Sequence, residues 1–98
     1  MVSFRVVIEA HGLQDIQNSI DYYETQQAGL GERFFNVIQS HFEIVSANPF
    51  HRIKYKDYRA VPVKVFPFII VYYVVEKTNT VYISSVFHTS QNPKKLPV

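Results

Sequence analysis

Cysteine is absent from all 98 residues. That excludes a disulfide scaffold, a thiolate zinc site and a cysteine nucleophile together, and it suits a reducing compartment. Glycine occurs only three times, at Gly12, Gly29 and Gly31, and none opens a loop that could cradle a phosphate. Long apolar runs are missing as well. The longest, Val61 to Val75, is interrupted by Pro62, Lys64 and Pro67. It falls short of the roughly 20 apolar residues that a membrane-spanning helix needs. The start, Met1-Val2-Ser3-Phe4-Arg5, lacks the basic flank and small-residue cleavage site of a secretory signal. A soluble, cytoplasmic protein is the expectation.

Charged residues are sparse, at 18%, against 47% hydrophobic and 15% aromatic, which is the composition of a folded globule. The length allows one core, so residues 1–98 are expected to form a single domain. With seven tyrosines and eight phenylalanines, not every ring fits inside so small a core, and an exposed aromatic patch is expected. The net charge of +2 hides a polarity. Residues 1–48 carry two basic and six acidic side chains, a balance of −4, whereas residues 49–98 carry eight basic and two acidic, a balance of +6. An anionic partner for the second half is one explanation. The other is that a helical half is commonly Glu-rich and a strand half Lys-rich.

Phe4 to Ile8 is short and β-branched, as a first strand would be. Gly12 and Asp15 are expected to open a helix whose apolar positions are Leu13, Ile16, Ile20 and Tyr23, with Gly29 stopping it. A second helix follows at once, with Leu30, Phe34, Ile38, Phe42 and Val45 as its stripe and Asn48-Pro49 as its end. So short a gap implies an antiparallel helical hairpin. The period then changes to two. Arg59, Val61, Val63 and Val65 alternate with Tyr58, Ala60, Pro62 and Lys64, a half-buried strand with Pro62 at an edge or bulge. Phe68 to Val75 is continuously apolar and reads as a central strand covered on both faces, and Val81 to His88 as the last strand. The order β-α-α-β-β-β, with one more short strand around Arg52 to Lys56, is α+β: a helical hairpin packed on a twisted antiparallel sheet of three to four strands.

Standard enzyme constellations are not supported. His11, His41, His51 and His88 lack metal-ligand spacing and acidic companions, Ser84 and Ser85 lack a nucleophile-elbow setting, and the second half offers only Asp57 and Glu76 as carboxylates. No metal and no cofactor is expected. What remains is a cationic stretch interleaved with aromatics: Arg52, Lys54, Tyr55, Lys56, Tyr58, Arg59 and Lys64. Such a stretch fits RNA, through phosphate contacts and base stacking, and equally fits an acidic peptide. It also fits a strand edge guarded by lysine against aggregation. Arg59 shares its parity with Val61 and Val63 and is the foremost candidate, while His88 closes the last strand.

Taken in order, Asp15-Ile16 through Tyr22-Tyr23, Gly31 through Phe34-Phe35, Asn48-Pro49, Arg59, Phe66-Pro67-Phe68 with Tyr72, and Val86-Phe87-His88 to Asn92-Pro93 resemble the RelE/ParE superfamily of type II toxin–antitoxin toxins. The resemblance covers about residues 5 to 93 and is closer to the ParE-like branch. It implies a twisted antiparallel sheet against a helical hairpin. It also implies growth inhibition, plasmid stabilization, and neutralisation by a cognate antitoxin that forms a hetero-oligomer with the toxin, with DNA contact only through the antitoxin. ParE-like members bind DNA gyrase; RelE-like members cut messenger RNA on the ribosome, where a 2′-hydroxyl attacks the adjacent phosphate with help from a base, an acid and cations. On the RNase alternative, Arg59, Lys64, His88 and Tyr58 would be catalytic; Arg52, Lys54, Lys56 and Arg59 would bind target or antitoxin. An inactive antitoxin-binding module of the same fold is the third reading. Where family members carry arginines after the histidine, this chain reads Thr89-Ser90-Gln91-Asn92.

Overall fold

The computed structural model describes residues 3–50 and 53–90, with 53–55 described as backbone only. The chain runs β1 (Arg5–Ile8), α1 (Ala10–Gln26), α2 (Leu30–Ala47), β2 (Ile53–Tyr55), β3 (Tyr58–Pro62), β4 (Phe68–Val75), a short 3-10 turn and β5 (Thr80–His88). The five strands form one sheet in the order β1-β5-β4-β3-β2. Strands β2 to β5 are antiparallel to their neighbours, while β1 pairs in parallel with β5. The expected α+β layout, extra short strand included, is therefore present. The parallel edge follows from the helical hairpin, which returns the chain to the sheet at its far side.

Helix α2 supplies most of the helical contribution to the core. Phe34, Ile38, Phe42 and Val45 recur every three to four residues and are buried, so one stripe lies on the sheet. They meet Val61, Phe68, Ile70, Tyr72, Val81, Ile83 and Val86, the alternate residues of three strands. Both helices lie on this face. No helix among the described residues covers the other face, where Val71 of β4 is buried and Ile69, Tyr73 and Val75 are half-buried. Its apolar continuity is explained instead by neighbouring rings: Tyr73 stacks on Tyr82 at 5.2 Å and meets Tyr58 edge-on at 5.7 Å. This row, together with Tyr22, Phe35 and Phe50 exposed elsewhere, provides the outlet for aromatics that composition demanded.

Four local expectations are corrected. Helix α1 starts at Ala10 after Glu9, so Gly12 and Asp15 lie inside it and Asp15 is past the first turn. Leu13, placed in the apolar stripe, is 55% exposed, because α1 rests on β5 along the line of Gly12 and Ile16. The strand beginning at Tyr58 ends at Pro62 rather than Val65. Val65 is 73% exposed with φ of 74°, a left-handed conformation rare for a β-branched side chain. Burial of Val63 and Phe66 on either side, with the Val63 N–H donating to the Phe68 carbonyl, turns the intervening residues outward. Pro62 is not on an edge strand; β2 pairs only as far as Ala60, so Pro62 has no β2 partner.

Two glycines allow close approach. A Cβ on Gly12 would sit 2.9 Å from the Ile83 carbonyl oxygen, and one on Gly31 would sit 2.7 Å from the Ile20 carbonyl oxygen. Gly29, three residues past α1, takes the left-handed φ of 87° that turns the chain into α2. Helix propensity alone would favour alanine at positions 12 and 31 by about 1 kcal/mol. The packing predicts the opposite sign. Gly12→Ala and Gly31→Ala should each lower unfolding free energy by about 1–3 kcal/mol in urea titrations. A gain in stability would contradict the close approach.

Candidate functional site

The residues singled out from sequence are dispersed. Arg59 points to the helix side of the sheet, level with Tyr72 of β4. Its Nη1 donates to the Phe50 carbonyl at 3.2 Å, and its guanidinium lies 5.3 Å from the Phe50 ring centre. Tyr72, fully buried beside it, donates its hydroxyl to the Pro49 carbonyl at 2.7 Å. Together these two side chains fasten the Asn48–Phe50 turn to the sheet, which gives Arg59 an architectural task. Tyr58, its neighbour in sequence, faces the opposite side and packs on Tyr73. Lys64 is not on the same strand as Arg59 but in the β3–β4 loop, exposed, with its backbone N–H donating to His41 Nε2 at 3.3 Å. His41 is buried, and its Nδ1 donates to the Val37 carbonyl at 2.8 Å, so both ring nitrogens serve structure.

His88 closes β5 opposite Phe68, the end of β4 away from Arg59. Phe68 and Tyr72 are four positions apart on β4, roughly 13 Å at ordinary strand rise. The four residues of the RNase alternative therefore do not converge on one point. Of the binding candidates, Lys56 is exposed in the β2–β3 turn, and Lys54 stands opposite Arg59 in the ladder as backbone. Arg52 lies outside the described residues, as do the side chain of Lys54 and Gln91-Asn92. Among the described residues no cluster of histidine and carboxylate side chains could hold a metal. No helix among them is long and apolar enough to cross a membrane.

A different group is brought together. The pairing of β4 with β5 slips by one residue, with Val71 opposite Ser85 and Tyr72 opposite Ile83, so Ser84 is an extra residue in β5. Helix α1 meets the sheet at this bulge. Asp15 Oδ2 accepts from the Val86 N–H at 3.0 Å and from the Ser85 hydroxyl at 3.1 Å, with His11 Nε2 at 3.5 Å. A charged acceptor on a displaced strand amide is a strong hydrogen bond. Beside it opens a cavity of about 380 Å³ between α1 and the end of β5, lined among others by Asp15, Asn18, Tyr22, Phe68, His88 and Ser90. The Ser90 N–H donates to His88 Nδ1 at 3.0 Å, which places a neutral imidazole's proton on Nε2. Tyr23 forms the rear wall, its phenol pushed up by burial and by its neighbour Tyr22. The site analysis from sequence passed over Asp15. The available signal was a polar stripe, Asp15, Ser19 and Tyr22, at helical spacing beside the apolar one.

On the open face, Tyr73 donates its hydroxyl to Glu9 Oε2 at 2.7 Å. That bond, followed by burial and the negative charge of Glu9, pushes the phenol up to about 12. The folded chain thus holds this proton more tightly than the unfolded chain, whose value is the ordinary 10.0. The contribution to stability is complete below that ordinary value and is lost as pH rises towards 12. Tyrosinate absorbance should show Tyr73 titrating late, beyond the raised Tyr23, and Glu9→Gln should bring Tyr73 earlier. An unchanged titration curve would contradict the assignment.

The arrangement can be set against known proteins. The family model described as ParE toxin of type II toxin-antitoxin system, parDE, matches residues 6–93. No curated protein matches the sequence significantly. Among solved structures, the RelBE2 toxin–antitoxin complex of Mycobacterium tuberculosis is similar at TM-score 0.64 and 14% identity, covering 93% of this chain and 97% of that one. A chromosomal ParDE system from P. aeruginosa gives TM-score 0.64 at 15% identity, covering 88% of this chain and 96% of that one. The isolated E. coli RelE toxin gives 0.62 at 9% identity, covering 94% and 90%. At such identities the structural likeness is one of fold. The sequence match spans nearly the whole described fold, and on that ground the chain belongs to the ParE toxin family of type II toxin–antitoxin systems.

Proposed function

We propose that this toxin acts in the cytoplasm by binding DNA gyrase, with no bond cleavage of its own, and that a cognate antitoxin neutralises it by forming a hetero-oligomer with it. The observation that carries the reading is the dispersal of the RNase candidates. Cleavage through a 2′-hydroxyl needs a base, an acid and cations within reach of one phosphate. Here Tyr58 faces away from Arg59, Arg59 is engaged by the Phe50 carbonyl, and His88 sits at the other end of β4 with Nδ1 accepting from Ser90. Thr89 and Ser90 follow His88 where the family resemblance implies arginines, which leaves less charge for a phosphate transition state. A binding mechanism needs no such convergence.

Partner recognition is expected to use the basic second half, where Lys54, Lys56 and Lys64 occur along β2 and the two loops flanking β3. An acidic antitoxin segment would complement it, and the complex should weaken as salt rises. Residues Arg52, Lys54, Lys56 and Arg59 are the proposed contacts. The solved structure described as the RelBE2 toxin–antitoxin complex fits this partner.

The test is a side-by-side assay of the purified chain. Supercoiling by gyrase should be inhibited, and relieved by the cognate antitoxin, while ribosome-bound message stays intact. Cleaved message that is protected by Arg59→Ala would overturn the binding mechanism in favour of RelE-like chemistry. Failure of both assays, with unimpaired growth on expression, would leave an antitoxin-binding module and overturn the toxic action.

A further inference from the structure

The cavity between α1 and the end of β5 is walled by aromatic rings in sequence contact. Tyr22 meets Tyr23 edge-on at 5.4 Å, Tyr23 meets Phe68 at 6.2 Å, and Phe68 meets His88 at 5.2 Å. At the base of this chain of rings lies the Asp15 carboxylate, whose side chain is 22% exposed. Its Oδ2 is engaged by Val86, Ser85 and His11, whereas Oδ1 has no hydrogen bond from the described residues. One oxygen of a largely buried carboxylate is therefore without a hydrogen bond from the described residues, and Asp15 lines a ring-walled space of about 380 Å³. Ring faces and a carboxylate share one preference, a cation. Helix α1 reinforces it, carrying Asp15, Asp21 and Glu24 and no lysine or arginine.

We propose that this cavity is a guanidinium subsite, which accepts an arginine side chain from a protein partner. A guanidinium is planar and weakly hydrated, so it can stack on Tyr22, which is 59% exposed at the mouth, while its fork donates to Asp15 Oδ1 and the Asn18 side chain. An ammonium would satisfy the carboxylate but would lose the planar stack. The β5 bulge is what makes the subsite possible. Next to it, the Val86 N–H and the Ser85 hydroxyl engage Oδ2 and hold the carboxylate in place. The carboxylate of the subsite belongs to the acidic half of the chain, and the subsite is separate from the basic stretch of β2 and β3. A partner that uses both would need a cation at one end and acidic residues at the other.

The inference goes beyond the gyrase reading and its test does not depend on it. L-arginine amide is titrated into the isotope-labelled full chain while backbone amide shifts are followed, with L-citrulline amide as the neutral isostere. Saturable shifts are expected at Tyr22, Val86 and Ser90 with the arginine compound only. Tyr22→Ala should weaken binding by roughly 3- to 30-fold, the range expected for one cation–ring contact. Asp15→Asn, which keeps an oxygen for the Val86 N–H, should weaken it by about tenfold or more. The absence of shifts, equal shifts from citrulline amide, or an unaltered affinity in Tyr22→Ala would overturn the proposal. Residues 91–98 follow Ser90 and include Lys94 and Lys95. Affinity is expected to be unchanged in the Lys94→Gln/Lys95→Gln variant; marked tightening would assign the subsite to the chain's own lysines and overturn the partner assignment.

Discussion

The bond between Asp15 and the displaced amide of Val86 is the constraint on which the rest of the architecture turns. Strand β1 pairs with β5 only as far as Ile83, so the N–H of Val86 lies beyond that ladder, and burying such a donor unsatisfied costs about 1–3 kcal/mol. Asp15 removes that penalty from a neighbouring helix. In doing so it sets where α1 lies, and Gly12 then allows the helix backbone to descend onto the Ile83 carbonyl. Position of α1 determines position of α2, because the glycine at 31 brings the two helices into backbone contact at Ile20. The remaining core, Phe34 to Val45 over the three central strands, follows from that placement.

The same geometry separates two kinds of surface. The helical half is acidic and ends in a ring-lined cavity with a carboxylate at its base; the strand half carries the basic residues along β2 and its flanking loops. Arg59 and Tyr72 spend their polar groups on the carbonyls of Phe50 and Pro49, and His41 spends both nitrogens on backbone. Several groups that resemble catalytic residues in a linear reading are thus fasteners of a domain too small to hold its long connections by burial alone. A protein built this way is suited to being recognised by, and to recognising, other proteins.

What the sequence disclosed was periodic. The α2 stripe and the Phe68–Val75 strand were legible because apolar residues repeat at the spacing of their own element over many positions. Gly12 was misread as a helix start, since a glycine needed for close packing and one needed for a turn look alike in one dimension. Val65 continued the alternation of Val61 and Val63 but was turned outward by burial of its neighbours. The bulge left no local signature in Ser84-Ser85, and its partner Asp15 lies about seventy residues away in the chain. Arg59 was correctly assigned to the side of Val61, yet its engagement by a carbonyl from the preceding turn is a tertiary fact that no spacing encodes.

Amide hydrogen exchange at Val86, compared between the unaltered chain and Asp15→Ala, tests the central claim most directly. The account predicts that Val86 exchanges only through global unfolding in the unaltered chain. In the variant its protection should fall by more than that of Ile70 and Ile83, together with loosening of the α1 amides. Equal protection of Val86 in both proteins would contradict the claim that this carboxylate holds the helical hairpin to the sheet.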